Sequence, residues 1–540
     1  MEDVVDMLSR GLDLRMMNGT MMHLTRDIYC ALPHPPVRAA APLSPAAAAR
    51  APDGVDRISR LPAHLRRDIV SSRWRCVWRA TPLVLVDAHL MPARAAPARL
   101  PFRAISLRDV LAPLHVAAAV SRALAAHPGP FRCVYLVGVP MDAHRPEIEL
   151  WFQLLAAKGV QELVFMNRAA KLDTDVPLTA TLFRCTALRR LYVGFWRFPD
   201  TAALSRAAAF PYLPELGLCS FILMERDLAF LLGRCPVLEK LLVVGGRWPV
   251  CIRVQSQSLR CVELCAGIVP EVTVVHAPRL ERLLLWEAWG GGGLTNMSAK
   301  VKIGHAPKLR FLGFLVPGMH ELEIGNTVIK VGTKASPKST VPSVKMLGVQ
   351  VKLGTRTEIR MLPSFLRCFP NIETLYVQSE NDDIQFWGPQ SSSSSTNKIN
   401  SKFWEEAGAM DCVQRHIKKL VLREFRGKKS ELDFLKFIAK SAQVLEEMVI
   451  YMTHGMSPSD QVGTKLRTFM ASAKWANGCC KLMVFPSPFH QEGTAWCFQR
   501  AFDFSIQDPF DVFPREMPKS LVCCFNIYKQ GTVLGYWCLT

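Results

Sequence analysis

Leu188-Arg189-Arg190-Leu191-Tyr192-Val193 and, 25 residues on, Leu213-Pro214-Glu215-Leu216-Gly217-Leu218 carry one phrase twice. An apolar residue is followed by two variable ones, a leucine, and then an apolar alternation. The phrase returns from Leu238 to Val243, Leu280 to Leu285, Leu309 to Phe314 and Ile372 to Val377, with a weaker copy from Leu259 to Leu264. Successive starts from Leu188 to Leu309 lie 25, 25, 21, 21 and 29 residues apart. Self-similarity at such a period marks a solenoid, in which each unit adds one strand and one return segment. Several copies follow a proline, as at Cys235-Pro236, Ala277-Pro278, Ala306-Pro307 and Phe369-Pro370. The residue before proline is pushed out of the helical region, which halts the return segment before the strand begins. An α/β chain with coincidental spacing is the alternative, and six good copies in register weigh against it.

The period is that of leucine-rich repeats, which makes the expected fold α/β. Parallel strands alternate there with helical or irregular return segments. Successive side chains of a strand point to opposite faces. With the leucines facing the core, the other face carries Val164 and Met166, Tyr192 and Gly194, Gly217 and Cys219, Leu242 and Val244, Leu284 and Trp286, Gly313 and Leu315, Tyr376 and Gln378. None of these is charged, in a chain with 66 Lys+Arg against 46 Asp+Glu and a net charge of +20. An apolar, aromatic-dotted strip suits a protein partner or a small apolar ligand, not a phosphate backbone. Tyr192, Leu242, Trp286, Leu315 and Tyr376 are therefore the candidate target-binding residues. The alternative is that a C-terminal unit or loop covers the strip, since parallel sheets are usually buried on both faces.

On either side of the repeats the pattern is also readable. Leu83 to Val86 reads as a buried strand, Pro113 to Ala126 as an Ala-rich helix, and Cys133 to Val137 as a strand. Pro146 opens a helix whose Ile148, Trp151, Phe152 and Leu155 share one face, followed by a strand from Val160 to Phe165. Downstream, Gly388-Pro389-Gln390 with Ser391 to Ser395 is a low-complexity loop. Strands are expected at Ile417 to Leu422 and Leu445 to Met452. Between them lies a helix capped by Ser430 with Asp433 three residues on, and a last helix runs from Val462 to Trp475.

Composition narrows the function classes. A chain of 540 residues exceeds one core, and 49% hydrophobic with 21% charged residues is ordinary for a globular protein. No apolar run approaches the ~20 residues of a membrane helix, and the acidic start Met1-Glu2-Asp3 is unlike a secretory signal. Cytoplasm or nucleus is the expected compartment. The 17 cysteines include no C-x-x-C pair, so they read as small buried hydrophobes and not as metal ligands. The basic residues are scattered singly, with only short clusters such as Lys418-Lys419, so the net charge does not indicate dedicated nucleic-acid recognition. Gly290 to Gly293 lacks the Lys and Ser/Thr of a phosphate loop, and no H-E-x-x-H or G-x-S-x-G is present. No enzyme, cofactor or metal is expected.

One segment before the repeats has its own signature. Asp56-Arg57-Ile58-Ser59 with Leu61-Pro62, and Ser72-Arg73-Trp74-Arg75 with Trp78, resemble the two ends of an F-box. Leu65, Ile69 and Val70 recur at helical spacing, and Trp74 and Trp78, four apart, share a helix face. Family members have a further helical stretch between these ends, whereas here Ile69-Val70 runs straight into Ser71-Ser72. Pro363 to Val377 with the block after it, including Lys474-Trp475-Ala476 and Cys479-Cys480, resembles the FBD domain that follows leucine-rich repeats in many plant F-box proteins.

The resemblance implies a substrate adaptor of an SCF-type cullin ubiquitin ligase. It would bind the Skp subunit through Leu61, Pro62, Leu65, Ile69, Trp74 and Trp78, and a target through the repeats. A protein-interaction module that has lost ligase docking, because the F-box is incomplete, is the alternative. The organisation expected is a low-pattern extension and Ala/Pro linker over 1–52 and the F-box-like segment over 53–92. Repeats follow over 105–360, an FBD-like unit over 361–513 with its Ser-rich insert near 388–400, and an irregular tail over 514–540. Both ends are expected to be protease-sensitive, with Val522 to Tyr528 able to add an edge strand.

Overall fold

The computed structural model describes residues 27–36, 79–90, 107–139, 141, 144–167, 176–201, 204, 208–246, 249–289, 298–334, 336–380, 403–487, 497–511 and 523–526. The F-box-like residues Leu61, Pro62, Leu65, Ile69, Trp74 and Trp78 lie outside these, as do most of both ends. The chain divides into two compact units, one of Leu32–Leu242 and one of Met1–Ala31 with Val243–Thr540.

In the unit Leu32–Leu242, strands β1 (Leu83–Val86), β2 (Phe131–Leu136), β3 (Glu162–Met166), β4 (Arg190–Gly194) and β5 (Glu215–Cys219) form a parallel sheet in chain order. The expected strand at Leu83 to Val86 is thus the first strand of the repeat sheet, with Leu85 opposite Val134. The phrase leucines stack across it, Leu163 against Leu191 and Leu191 against Leu216. Each is buried, which is worth about 1.5–3 kcal/mol per side chain. The Ala-rich helix α1 spans Leu107–Ala126 and so begins ahead of Pro113, which it carries internally at the loss of one backbone bond. Helix α2 (Arg145–Ala157) has its proline in the first turn and buries Ile148, Trp151, Phe152 and Leu155, the face its spacing encodes. Trp151 donates to the Ser121 hydroxyl of α1 at 2.8 Å, and Phe152 meets Phe165 of β3 edge-on at 5.0 Å. Before β4 the return segment is only a 3-10 turn, Ala180–Arg184; after β5 it is the helix α3 (Glu225–Arg234). Strand β6 (Lys240–Gly246) begins in this unit.

The unit that includes Val243–Thr540 departs from the expected return segments. Here β8 (Cys261–Ile268), β10 (Arg282–Trp289) and β12 (Phe311–Leu315) belong to the main sheet. The segments before, between and after them are themselves strands, β7 (Ile252–Gln255), β9 (Glu271–His276), β11 (Ala299–His305) and β13 (His320–Ile324). Together with the short antiparallel β14 (Thr327–Val328) they build a second sheet in the order β14-β13-β11-β9-β7. Spacing accounts for β7 and β9: the phrase starts at Leu238, Leu259 and Leu280 are only 21 residues apart, too few for a strand, two turns and a helix, whereas β11 lies in the 29-residue gap from Leu280 to Leu309. Ile252 with Val254, Val272 with Val274, and Val301 with Ile303 supply the period of two that a half-buried strand needs.

After Val351, helices return. Strands β15 (Met346–Val351), β16 (Thr374–Ser379), β17 (Lys419–Phe425), β18 (Glu447–Met452) and β19 (Lys481–Phe485) continue the main sheet in parallel. They are connected through α4 (Arg356–Arg367), α5 (Phe403–Glu406), α6 (Lys429–Ser441) and α7 (Gln461–Ala471). Leu375 aligns with Leu420, Leu420 with Met448, and Met448 with Leu482, so the block after residue 372 repeats the same phrase in the same sheet. Strand β20 (Cys523–Asn526) closes the order antiparallel to β19. Two local expectations change. Helix α6 is capped not by Ser430 but by the buried carboxylate of Glu431, which accepts the N–H of Lys428 at 2.9 Å and of Arg426 at 3.0 Å. Helix α7 stops at Ala471, before Trp475.

Candidate interaction surface

On the face of the main sheet away from the leucines, the second unit carries a deposit of its own chain. Residues 497–511, including the helical turn α8 (Phe498–Phe502), lie there as a strap. Arg282 of β10, 2% exposed, holds it through main-chain carbonyls. Its Nη1 donates to Arg500 O at 3.2 Å, Ala501 O at 2.6 Å and Asp503 O at 3.0 Å, and its Nη2 donates to Ile506 O at 2.6 Å. Phe504 packs under the guanidinium of Arg260 at 3.8 Å. Further along, the Phe510 ring lies 5.3 Å from both Phe314 and Tyr376, and its carbonyl accepts from Arg423 Nη2. Tyr376 donates its hydroxyl to Asp508 Oδ2 at 2.6 Å.

Burial sets the chemistry of these groups. Desolvation lowers the pKa of Arg282 and of Arg423, although guanidinium begins so high that both stay charged. Burial first, and then the Asp508 charge, pushes the Tyr376 phenol well above its ordinary value, so it remains a donor. A buried charge must be hydrogen-bonded to be tolerated, and here the strap's carbonyls answer Arg282. The thiols Cys219, Cys235, Cys368, Cys412 and Cys480 are pushed up to about 12 by burial. They are protonated, hydrophobic groups and not nucleophiles. Among the described residues, no group of three or more His, Cys, Asp or Glu is placed to hold a metal ion.

The corresponding face of the unit Leu32–Leu242 carries an ion ladder at the position just before the second phrase leucine. Glu162, Arg190, Glu215 and Lys240 alternate in sign, with Arg190 at 3.0 Å from Glu162 and 2.8 Å from Glu215, and Lys240 at 3.3 Å from Glu215. Burial works against the Arg190 charge, but Glu215 and Glu162 outweigh it and raise its pKa. Tyr192 lies above the ladder and donates to Glu215 at 3.1 Å. Its ring passes so close to β5 that a Cβ on Gly217 would sit 2.3 Å from it.

The candidate target-binding residues are therefore interior. Tyr192, Leu242, Trp286 and Tyr376 are buried on the expected face, but packed and not open. Leu315 is on the other face. The register of β12 against β15 shifts between Leu312 and Leu315, which aligns Leu315 with Val349. Phe314 stands instead beside Trp286, edge-on at 5.3 Å, facing the strap. Arg282, Arg423, Asp508 and Phe510 were not among the candidates. The one available signal was a charge at a variable position of the phrase, as in Leu280-Glu281-Arg282-Leu283.

Residues 148–377 match the family described as FBD-associated F-box protein At5g56370, LRR repeats, and residues 405–450 match the FBD family. The two matches support an F-box/leucine-rich-repeat/FBD protein family for the chain. No curated protein matches it. The FBD match begins within α5, covers β17 and α6 and reaches into β18, so its strands lie inside the repeat sheet and not beside it. The chain's family and its fold are those of an F-box-type protein-interaction molecule. No helix among its described residues is long and apolar enough to cross a membrane.

Proposed function

We propose that the chain is a substrate-recruiting subunit of an SCF-type cullin ubiquitin ligase. In this reading the F-box-like segment with Leu61, Pro62, Leu65, Ile69, Trp74 and Trp78 holds the Skp-type subunit and, through it, a cullin. The repeat and FBD part holds the target protein. Other subunits modify the target's lysine, so this chain needs no catalytic group, and its place of work is the cytoplasm or nucleus.

The order of parts carries the reading. Both ends of an F-box, Leu61-Pro62 and Ser72-Arg73-Trp74-Arg75, stand ahead of the matched repeats at 148–377 and the matched FBD at 405–450. A second reading has its own observation. Pro62 and Trp74 are only 12 positions apart, which leaves no room for the middle helical stretch of the motif. In that case the chain is an interaction module without ligase docking. Co-purification of the full chain with the Skp-type subunit, against a chain lacking residues 54–80, separates the two. Retention that depends on 54–80 supports the adaptor, and no retention by either chain leaves the module.

A further inference from the structure

The strap over residues 497–511 is held much as a bound peptide would be. Most of its polar contacts with the sheet run to backbone carbonyls, which any sequence supplies, and Arg282 alone takes those of Arg500, Ala501, Asp503 and Ile506. Three contacts depend on sequence: the Phe504 ring under Arg260, the Phe510 ring between Phe314 and Tyr376, and the Asp508 carboxylate on Tyr376.

The fit is incomplete at Arg423. This guanidinium is 1% exposed and donates Nη2 to the Phe510 carbonyl, while its Nε and Nη1 have no hydrogen-bond partner among the described residues. Oε1 of Gln378, its register neighbour on β16, has none either. Asp508 commits its carboxylate elsewhere, to Tyr376 and to the N–H groups of Phe510 and Asp511. Buried guanidinium forks usually engage a planar acceptor with two oxygens. A chain ending at the position of Phe510 would present two carboxylate oxygens where the strap presents one carbonyl oxygen. The Asp511 side chain, next in the strap, is 40% exposed, so the strap runs toward solvent at the point where such a chain would stop.

We propose that the strap is a stand-in for a protein C-terminus. The face binds in trans a segment whose last residue is aromatic, with its ring between Phe314 and Tyr376 and its terminal carboxylate on Arg423. The proposal rests on the protein-interaction reading but not on ligase docking. The Skp co-purification above and the assay below therefore fail independently.

The probe is a fluorescein-labelled peptide of residues 503–510, Asp-Phe-Ser-Ile-Gln-Asp-Pro-Phe, made with a free C-terminal carboxylate and as the amide. It is titrated into the full chain carrying Phe510→Ala, which empties the ring position in cis. The carboxylate form is expected to bind about tenfold tighter than the amide, the gain of charge-assisted bonds to Arg423. Adding Gln378→Glu, which sets a negative charge beside Arg423, is expected to remove that preference. Equal affinity of the two peptides overturns the proposal in favour of an internal segment. Binding of neither to a cooperatively melting Phe510→Ala chain overturns it in favour of a permanent strap. Should Phe510→Ala fail to fold, hydrogen exchange on the wild-type chain decides. Saturating carboxylate peptide is expected to speed exchange within 503–511 more than the amide does, and unchanged exchange overturns the idea.

Discussion

Tyr376 of β16 and Asp508 of the strap, 132 residues apart in sequence, meet at 2.6 Å through a phenol–carboxylate hydrogen bond. That bond, with those of Arg282 and Arg423, turns this face of β10, β16 and β17 from an open strip into an interior. Arg282, Tyr376 and Arg423 have two roles to separate, holding the strap and meeting a partner.

Arg282 is the principal holder. Arg282→Ala leaves four strap carbonyls without their donor and is expected to cost about 2–4 kcal/mol, chiefly as local opening. Hydrogen exchange over residues 500–506 should accelerate far more than over β3 and β4. Arg282→Lys should rescue only partly, since an ammonium lacks the planar fork. Unchanged exchange in Arg282→Ala would show that the strap is held without it.

Gly217 is a packing requirement of Tyr192. Gly217→Ala drives a methyl to 2.3 Å from that ring and is expected to destabilise by about 1–3 kcal/mol. In a Tyr192→Ala background the same substitution should cost nearly nothing. A double-mutant cycle by denaturant melts reads the coupling, and additivity of the two changes would sink the argument.

Because the FBD-matched strands share a sheet with β15 and β16, Leu420→Ala should be felt outside the FBD. The cavity is expected to cost about 2–5 kcal/mol. Exchange protection should fall together in β15, β16, β17 and β18. Loss confined to β17 and β18 would mean an independently stable FBD domain.

Acid should destabilise the protein through three carboxylates. Hydroxyls of Thr179 and Thr181 overcome desolvation at Glu149, the Thr273 hydroxyl lowers Glu271, and Lys345 with Lys418 lowers Glu373. A lowered folded pKa gives stability that is complete above the ordinary value of 4.5 and is lost as pH falls through the folded value. The melting temperature should therefore decline below about pH 4.5, and more gently in a Glu149→Gln, Glu271→Gln, Glu373→Gln chain. An identical acid slope in that variant counts against the assignment.

If the F-box-like segment docks, Trp74 and Trp78 should anchor it. Alanine at either is expected to cost about 2 kcal/mol or more of Skp-subunit affinity. Measured affinities unchanged in both variants would move the contact elsewhere.

Sequence alone determined what repeats locally. The leucines of the phrase, the buried stripe Ile148, Trp151, Phe152 and Leu155 of α2, and the strands at 83–86 and 445–452 follow from periods of two and 3.6. The expectation of helical or irregular returns missed the β-type ones, although Ile252 with Val254 and Val272 with Val274 carry a period of two, and it missed the ion ladder of Glu162, Arg190, Glu215 and Lys240, whose members lie on four separate strands. Only the tertiary structure decided what covers the face away from the leucines. The register shift that exchanges Leu315 and Phe314 arises between neighbouring strands and leaves no mark in the phrase. The strap reaches its donor Arg282 from as far as 224 residues away in sequence. Local periodicity records how a residue sits in its own element, whereas cover for a buried charge is settled by whatever distant segment can bring its carbonyls there.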